Sequence, residues 1–227
     1  MYETSDELAT LQLLLDSSHT GASEHLRGII HDGRTLRATE VGGLLTGMHT
    51  LAAATVTRTG EPHVSALDGH FLHGRWTIST SATSPKGRHL RARPAISVAC
   101  IEGEDLAVFT HGHVEILTEG HPAFDETLDY WTAHYGSSPL SWGDTIVMRV
   151  VPTWMVGYAG DRSALLASRG VPEADRTQQP LNRRSSKGPP GRQRRGARRP
   201  STTCAQERLR ARGGFSWWWQ QWVGWGC

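Results

Sequence analysis

The sequence predicts a mainly β protein, an antiparallel barrel with flanking helices and a helical N-terminal extension. Three observations point there. Between residues 50 and 158, about six apolar and β-branched runs are separated by short turns. A helical pattern interrupts them once, after the third or fourth run, so the regular βαβ alternation of a doubly wound parallel sheet is absent. Ahead of them, residues 4–47 carry apolar positions at helical spacing.

The elements follow in order. Ser5 is a helix cap, and Leu8, Leu11, Leu14 and Leu15 recur on one helical face until Ser17-Ser18-His19-Thr20-Gly21 breaks the pattern. A second helix spans Ala22 to Ile30, and a third, weakened by Gly42 and Gly43, spans Thr39 to Leu45. From Thr50 the period shortens to that of strands. Thr50–Thr57 turns through Thr59-Gly60-Glu61 into His63–Asp68, and Phe71-Leu72 turns through His73-Gly74 into Trp76–Thr80. Ser84 then offers an N-cap with Pro85 as the first helical residue, and Pro94 ends that helix. Ala95–Ile101 and Asp105–Leu117 form a further strand pair, Ala123–Tyr135 is helical, and Thr145–Tyr158 is a last long strand bent at Pro152.

Composition divides the chain at about Gly170. Residues 1–169 hold 12 Lys+Arg against 19 Asp+Glu, whereas residues 170–227 hold 12 against 3. The net charge of +2 therefore describes neither part, and an acidic folded body argues against nucleic-acid binding by that body. No window approaches the roughly 18 apolar residues of a membrane span. The acidic start, Met1-Tyr2-Glu3-Thr4-Ser5-Asp6-Glu7, lacks the features of a secretory signal. Cys100, Cys204 and Cys227 are odd in number and widely spaced, which excludes a disulfide framework and a zinc knuckle. A reduced, cytoplasmic setting is expected.

Among residues that carry chemistry, Lys86 is the only lysine before position 170. It stands at a helix start, after Ser79-Thr80-Ser81 and beside Thr83, Ser84 and Arg88. Helix amides, hydroxyls and cations together suit an anion, a phosphate above all. The alternative is a solvated loop leading into a basic helix. His111 and His113 face one side of a strand, but no third metal ligand stands at a convincing spacing, and structural histidines are the expectation. No nucleophile elbow, Walker loop or dinucleotide fingerprint is present. Asp125, Glu126 and Asp129 read as the wet face of the late helix, and Cys100 as core.

Residues 48–160 resemble the pyridoxamine 5′-phosphate oxidase-like family of FMN-binding split barrels, and within it the actinobacterial flavin and deazaflavin oxidoreductases. Three stretches carry the resemblance: Leu51–Val56 leading through Thr59–Val64 to Leu67; Trp76–Thr80 with Lys86–Leu90 and Arg93–Val98; and Gly112–Ile116 with Arg149–Pro152. The resemblance implies a homodimer holding the cofactor ring between protomers, with its phosphate on the loop and helix after Thr80. Thr80 and Lys86 fall at phosphate-holding positions, with Ser79 and Ser84 beside them, and His63 and Ser65 join the candidate set. His63, Asp68 and Pro85 replace an arginine, a lysine and an arginine of the family pattern. Three cations of the FMN phosphate cage are thus missing, and coenzyme F420, with its phosphodiester and polyglutamate tail, becomes the alternative to FMN. Arg88, Arg91 and Arg93 are placed to meet that acidic tail.

The expected organisation is a helical extension over 1–47, a cofactor-binding split barrel over 48–161 and a basic, Trp-rich, disordered tail over 162–227. The expected activity is hydride transfer between the bound cofactor and a small organic substrate. A silent split barrel, acting as a cofactor carrier or binding RNA through its tail, is the alternative. The tail sets Arg183-Arg184, Arg194-Arg195 and Arg198-Arg199 among Pro, Gly and Ser and ends with five tryptophans in its last eleven residues. It reads as an RNA- or lipid-binding arm or, preferably, as GC-rich sequence translated in a shifted frame.

Overall fold

A computed structural model of the chain describes residues 2–175. Helix α1 (Ser5–Thr20) is capped by Thr4, not Ser5: Thr4 Oγ1 accepts the Glu7 amide and the Glu7 carboxylate accepts the Thr4 amide. The helix also runs through the expected break at Ser17-Ser18. There, the Ser18 hydroxyl accepts the Met155 amide at 3.0 Å, and this tertiary contact holds the last turn against weak local propensity. Helix α2 (Glu24–Ile29) is capped by Ser23, and α3 (Ala38–Leu44) buries Ala38, Val41 and Leu44.

Six strands follow: β1 (Met48–Val56), β2 (Pro62–Leu72), β3 (Arg75–Ser81), β4 (Ala95–Glu102), β5 (Leu106–Leu117) and β6 (Thr145–Ala159). They close an antiparallel barrel in the order β1-β2-β3-β6-β5-β4. The runs His63–Asp68 and Phe71-Leu72 are one continuous strand, because β1 pairs with its whole length from Pro62 to His70. His73 and Gly74 turn into β3 with φ of 54° and 71°, the left-handed conformations a two-residue hairpin demands. Alternation points Leu51, Ala53, Trp76, Ile78, Val98, Met148 and Val150 into the core. The bend at Pro152 is a β-bulge: Thr153 is the extra residue, and its hydroxyl donates to the His111 carbonyl at 3.2 Å. A Cβ at Gly112 would lie 2.1 Å from the Val151 carbonyl oxygen, so only glycine fits opposite the bulge.

The barrel opens between β2 and β3. Their ladder covers only Gly69–Leu72 against Ile78–Arg75; beyond it, Ser79–Ser81 pair with β6 and Pro62–Asp68 stay with β1. Helix α4 (Pro85–Ala92) lies at this split. A Cβ at Gly87 would meet the Ser81 carbonyl oxygen at 2.3 Å, so the first turn of α4 rests directly on the end of β3. Helix α5 (Phe124–Tyr135) covers the outer face, where Trp131 packs on Leu117 and Val147.

The expectation of a disordered tail from residue 162 is corrected for its first part. Asp161 caps a helix, α6 (Arg162–Arg169), which buries Leu165 and Leu166. Arg162, only 5% exposed, pairs with the fully buried Glu40 of α3. Contacts continue to Ala174, whose amide donates to Glu40 Oε1 at 2.8 Å. The remainder of the basic, Trp-rich tail, with Cys204 and Cys227, lies outside the described residues.

Candidate functional site

At the split, strand β2 has no neighbour on one edge, and its carbonyls are free to accept. Lys86, on the first turn of α4, reaches across and donates from Nζ to the Ala66 carbonyl at 2.7 Å. Burial lowers the Lys86 pKa, and Asp68 opposes that shift. An ammonium has three donors, so two remain for a ligand.

The hydroxyls beside it have distinct roles. Ser84 Oγ donates to the Ser81 carbonyl at 2.7 Å and accepts the Gly87 amide at 3.0 Å. Thr80 Oγ1 lies 3.1 Å from it. Ser84's single proton is committed to Ser81, so Thr80 donates to Ser84, and both hydroxyls shape the helix start. The Ser79 side chain makes no hydrogen bond among the described residues, while its backbone pairs with Val147 of β6. Arg88 donates to the Thr83 carbonyl, which folds its guanidinium back over the loop. Ser65 Oγ is buried with no partner, one residue from the carbonyl that Lys86 holds. An orphaned buried hydroxyl costs about 1–3 kcal/mol. The structure thus brings Thr80, Ser84, Lys86 and Arg88 together at the start of α4, with Ser65 and Ser79 on the neighbouring strands β2 and β3.

His63 stands on the same strand but faces His89 of α4, with ring centroids 5.6 Å apart. His89 Nδ1 lies 3.0 Å from Thr55 Oγ1, and Arg93 Nε donates to the Val56 carbonyl at 3.0 Å. Burial lowers the His89 pKa, with His63, Arg93 and Arg88 nearby acting in the same direction. Sequence reasoning passed over His89, although the signal was there: Lys86, His89 and Arg93 are spaced three and four apart, on one helical face. Arg93 anchors the helix end, whereas the Arg91 side chain is exposed and makes no hydrogen bond among the described residues. The His111–His113 pair gains no third ligand among the described residues; His111 stacks on Trp154 at 4.6 Å.

A scan against protein-family models matches residues 39–155 to pyridoxamine 5′-phosphate oxidase, just over half of the 227 residues. The chain belongs to the pyridoxamine 5′-phosphate oxidase family. No curated protein matches it. Among solved structures, the conserved hypothetical protein Rv2991 from Mycobacterium tuberculosis is similar at 18% identity and a TM-score of 0.49, over 64% of this chain and 94% of that one. An F420 reductase is similar at 22% identity and a TM-score of 0.40, over 49% and 92%. The heme storage protein HutZ from Vibrio cholerae is similar at 18% identity and a TM-score of 0.45, over 52% and 92%. The pyridoxamine 5′-phosphate oxidase match spans the barrel through Met155, with the α4 start and Lys86 inside it. No helix among the described residues is long and apolar enough to cross a membrane.

Proposed function

We propose that the chain is an oxidoreductase that binds a flavin-type cofactor at the split, coenzyme F420 in preference to FMN, and acts as a homodimer on a small organic substrate. The observation that carries this reading is the Lys86 ammonium, held by a free strand edge beside the orphaned Ser65 hydroxyl. When bound, the cofactor ring supplies hydride chemistry; the protein supplies orientation and a dry pocket. Lys86 and the Lys86 amide hold the phosphate, and Thr80 and Ser84 fix the helix start that presents them. Exposed Val64 and Ile101, with Ala52 and Ala66 beside them on the outward strand faces, form the apolar surface for the second protomer.

The preference for F420 follows from charge. An FMN phosphate monoester gathers up to two negative charges at one point, where this site offers one ammonium with Asp68 beside it. A phosphodiester carries one charge, and Arg88 and Arg91 would be the cations available to the glutamates of F420. Competition binding at two salt concentrations tests this: F420 is expected to displace FMN, longer glutamate tails to bind more tightly, and salt to reduce that gain. Displacement of F420 by FMN, or indifference to tail length, refutes the preference.

Lys86→Ala tests the site itself. Loss of a charge-assisted bond of about 1.5–3 kcal/mol weakens cofactor binding about ten- to a hundredfold, with little change in thermal midpoint. Equal dissociation constants for variant and wild type would remove Lys86 from the site.

A further inference from the structure

A second group of chemistry-bearing side chains lies away from the split. His49 is the second residue of β1, and Cys100 and Glu102 stand at the end of β4. Alternation turns all three toward the barrel interior, at its mouth. His49 Nδ1 lies 3.4 Å from Glu102 Oε1 and 3.7 Å from Cys100 Sγ, and the three donor atoms fall within 4.8 Å of one another.

A tetrahedral zinc ion has bonds of about 2.3 Å to sulfur and about 2.0–2.1 Å to nitrogen and oxygen, so its N···O and N···S edges measure about 3.4 and 3.6 Å. The two separations from His49 Nδ1 match those edges, and Cys100 Sγ and Glu102 Oε1 lie within 4.8 Å of each other. We propose that His49, Cys100 and Glu102 form a binding site for one zinc-like divalent cation, with the fourth position open to water.

The donor set selects the metal class. Nitrogen, sulfur and carboxylate oxygen together suit zinc and its neighbours, whereas magnesium and calcium take oxygen alone. Arg169 donates to Glu102 Oε2 at 2.6 Å, so the carboxylate is fixed with Oε1 toward His49, as an outer partner fixes a metal ligand. His49 Nδ1 is the ring atom that faces both Cys100 Sγ and Glu102 Oε1. Glu102, 29% exposed against 11% for His49, marks the route of approach.

On binding, the sulfur–metal bond forms as the S–H bond breaks, and the proton leaves to solvent. Thiolate and carboxylate then balance the two positive charges. Along β1, His49 and the α4-contacting Thr55 are about 20 Å apart, so this site is separate from the split.

Cobalt(II) is the probe. The full chain, and the full chain carrying Cys204→Ser and Cys227→Ser so that Cys100 is its only thiol, are stripped with chelator and titrated. The expected result is one equivalent bound, with a thiolate-to-cobalt charge-transfer band and the intense visible bands of a tetrahedral ion. Zinc is expected to displace it, raise the thermal midpoint and release a proton in weak buffer. Cys100→Ser removes the charge-transfer band, and Glu102→Gln weakens binding at least about tenfold. Should Cys100→Ser fail to fold, Glu102→Gln carries the test, its fold checked by circular dichroism. No charge-transfer band at one equivalent overturns the proposal, as does affinity unchanged in Glu102→Gln, which would place the ion on surface histidines.

Discussion

Glu40→Ala is expected to destabilise the protein by about 3–5 kcal/mol, the cost of leaving a buried charge without its partner. Glu40 is fully buried and accepts from Arg162 Nε at 3.0 Å and Nη2, from the Arg37 amide at 2.9 Å and from the Ala174 amide at 2.8 Å. Removing the carboxylate leaves the Arg162 guanidinium with Glu173 alone, at 3.2 Å and half exposed. Two backbone amides also lose their acceptor. Replacing the pair together, Glu40→Met with Arg162→Leu, is expected to recover most of the loss, since no charge is then stranded. Urea unfolding of the three variants measures this. A loss below about 1 kcal/mol in Glu40→Ala would mean that the α3–α6 layer unfolds apart from the barrel.

The second large effect is expected in acid. His70 on β2 is 1% exposed, with Nδ1 3.1 Å from the Tyr130 hydroxyl and Nε2 2.8 Å from that of Tyr135. Burial lowers its pKa to about 4, with His134 and His49 adding to the shift. A neutral ring donates to one tyrosine and accepts from the other, tying α5 to the barrel; a charged ring cannot accept. The unfolded chain takes up this proton near pH 6.5 and the folded chain only near pH 4. Stability is therefore full above pH 6.5 and falls as pH drops toward 4, by about 3 kcal/mol in total, with no further loss from His70 below that. Denaturant midpoints across this range should fall more steeply for wild type than for His70→Gln. Parallel slopes would show that the ring titrates normally.

What the sequence made legible was whatever chemistry is local. The Ser84 cap, Pro85 at the first helical position and the stop before Pro94 were readable because cap and ring geometry depend on adjacent residues only. Strand alternation did the same for the barrel, and the lone Lys86 at a helix start marked the candidate site. Long-range pairing was opaque. Helix α6 is fixed by Arg162 meeting Glu40, 122 residues away, a pairing that no local spacing reveals. The split depends on where β2 leaves β3, which is a matter of register. Ser84 read as a cap beside the phosphate positions; that its proton goes to the Ser81 carbonyl is a fact of hydroxyl stoichiometry that no spacing reveals. His49 and Cys100 meet across 51 residues, so Cys100 read as core alone.

The strand order has a mechanical consequence. β1, β2 and β3 form one chain-local meander, and β4, β5 and β6 form another. Two seams join them: five residue pairs between β3 and β6, and three between β1 and β4. The narrower seam sets Ala52, Ala53 and Ala54 against Ala99, Val98 and Ser97, so small side chains zip it. By contrast, the β5–β6 ladder inside the second meander runs to twelve pairs. The barrel is therefore two meanders joined along β3–β6 and, more narrowly, along a row of small side chains between β1 and β4. Opening the narrower seam leaves each meander's own ladders whole, so this barrel can breathe along one line without unfolding.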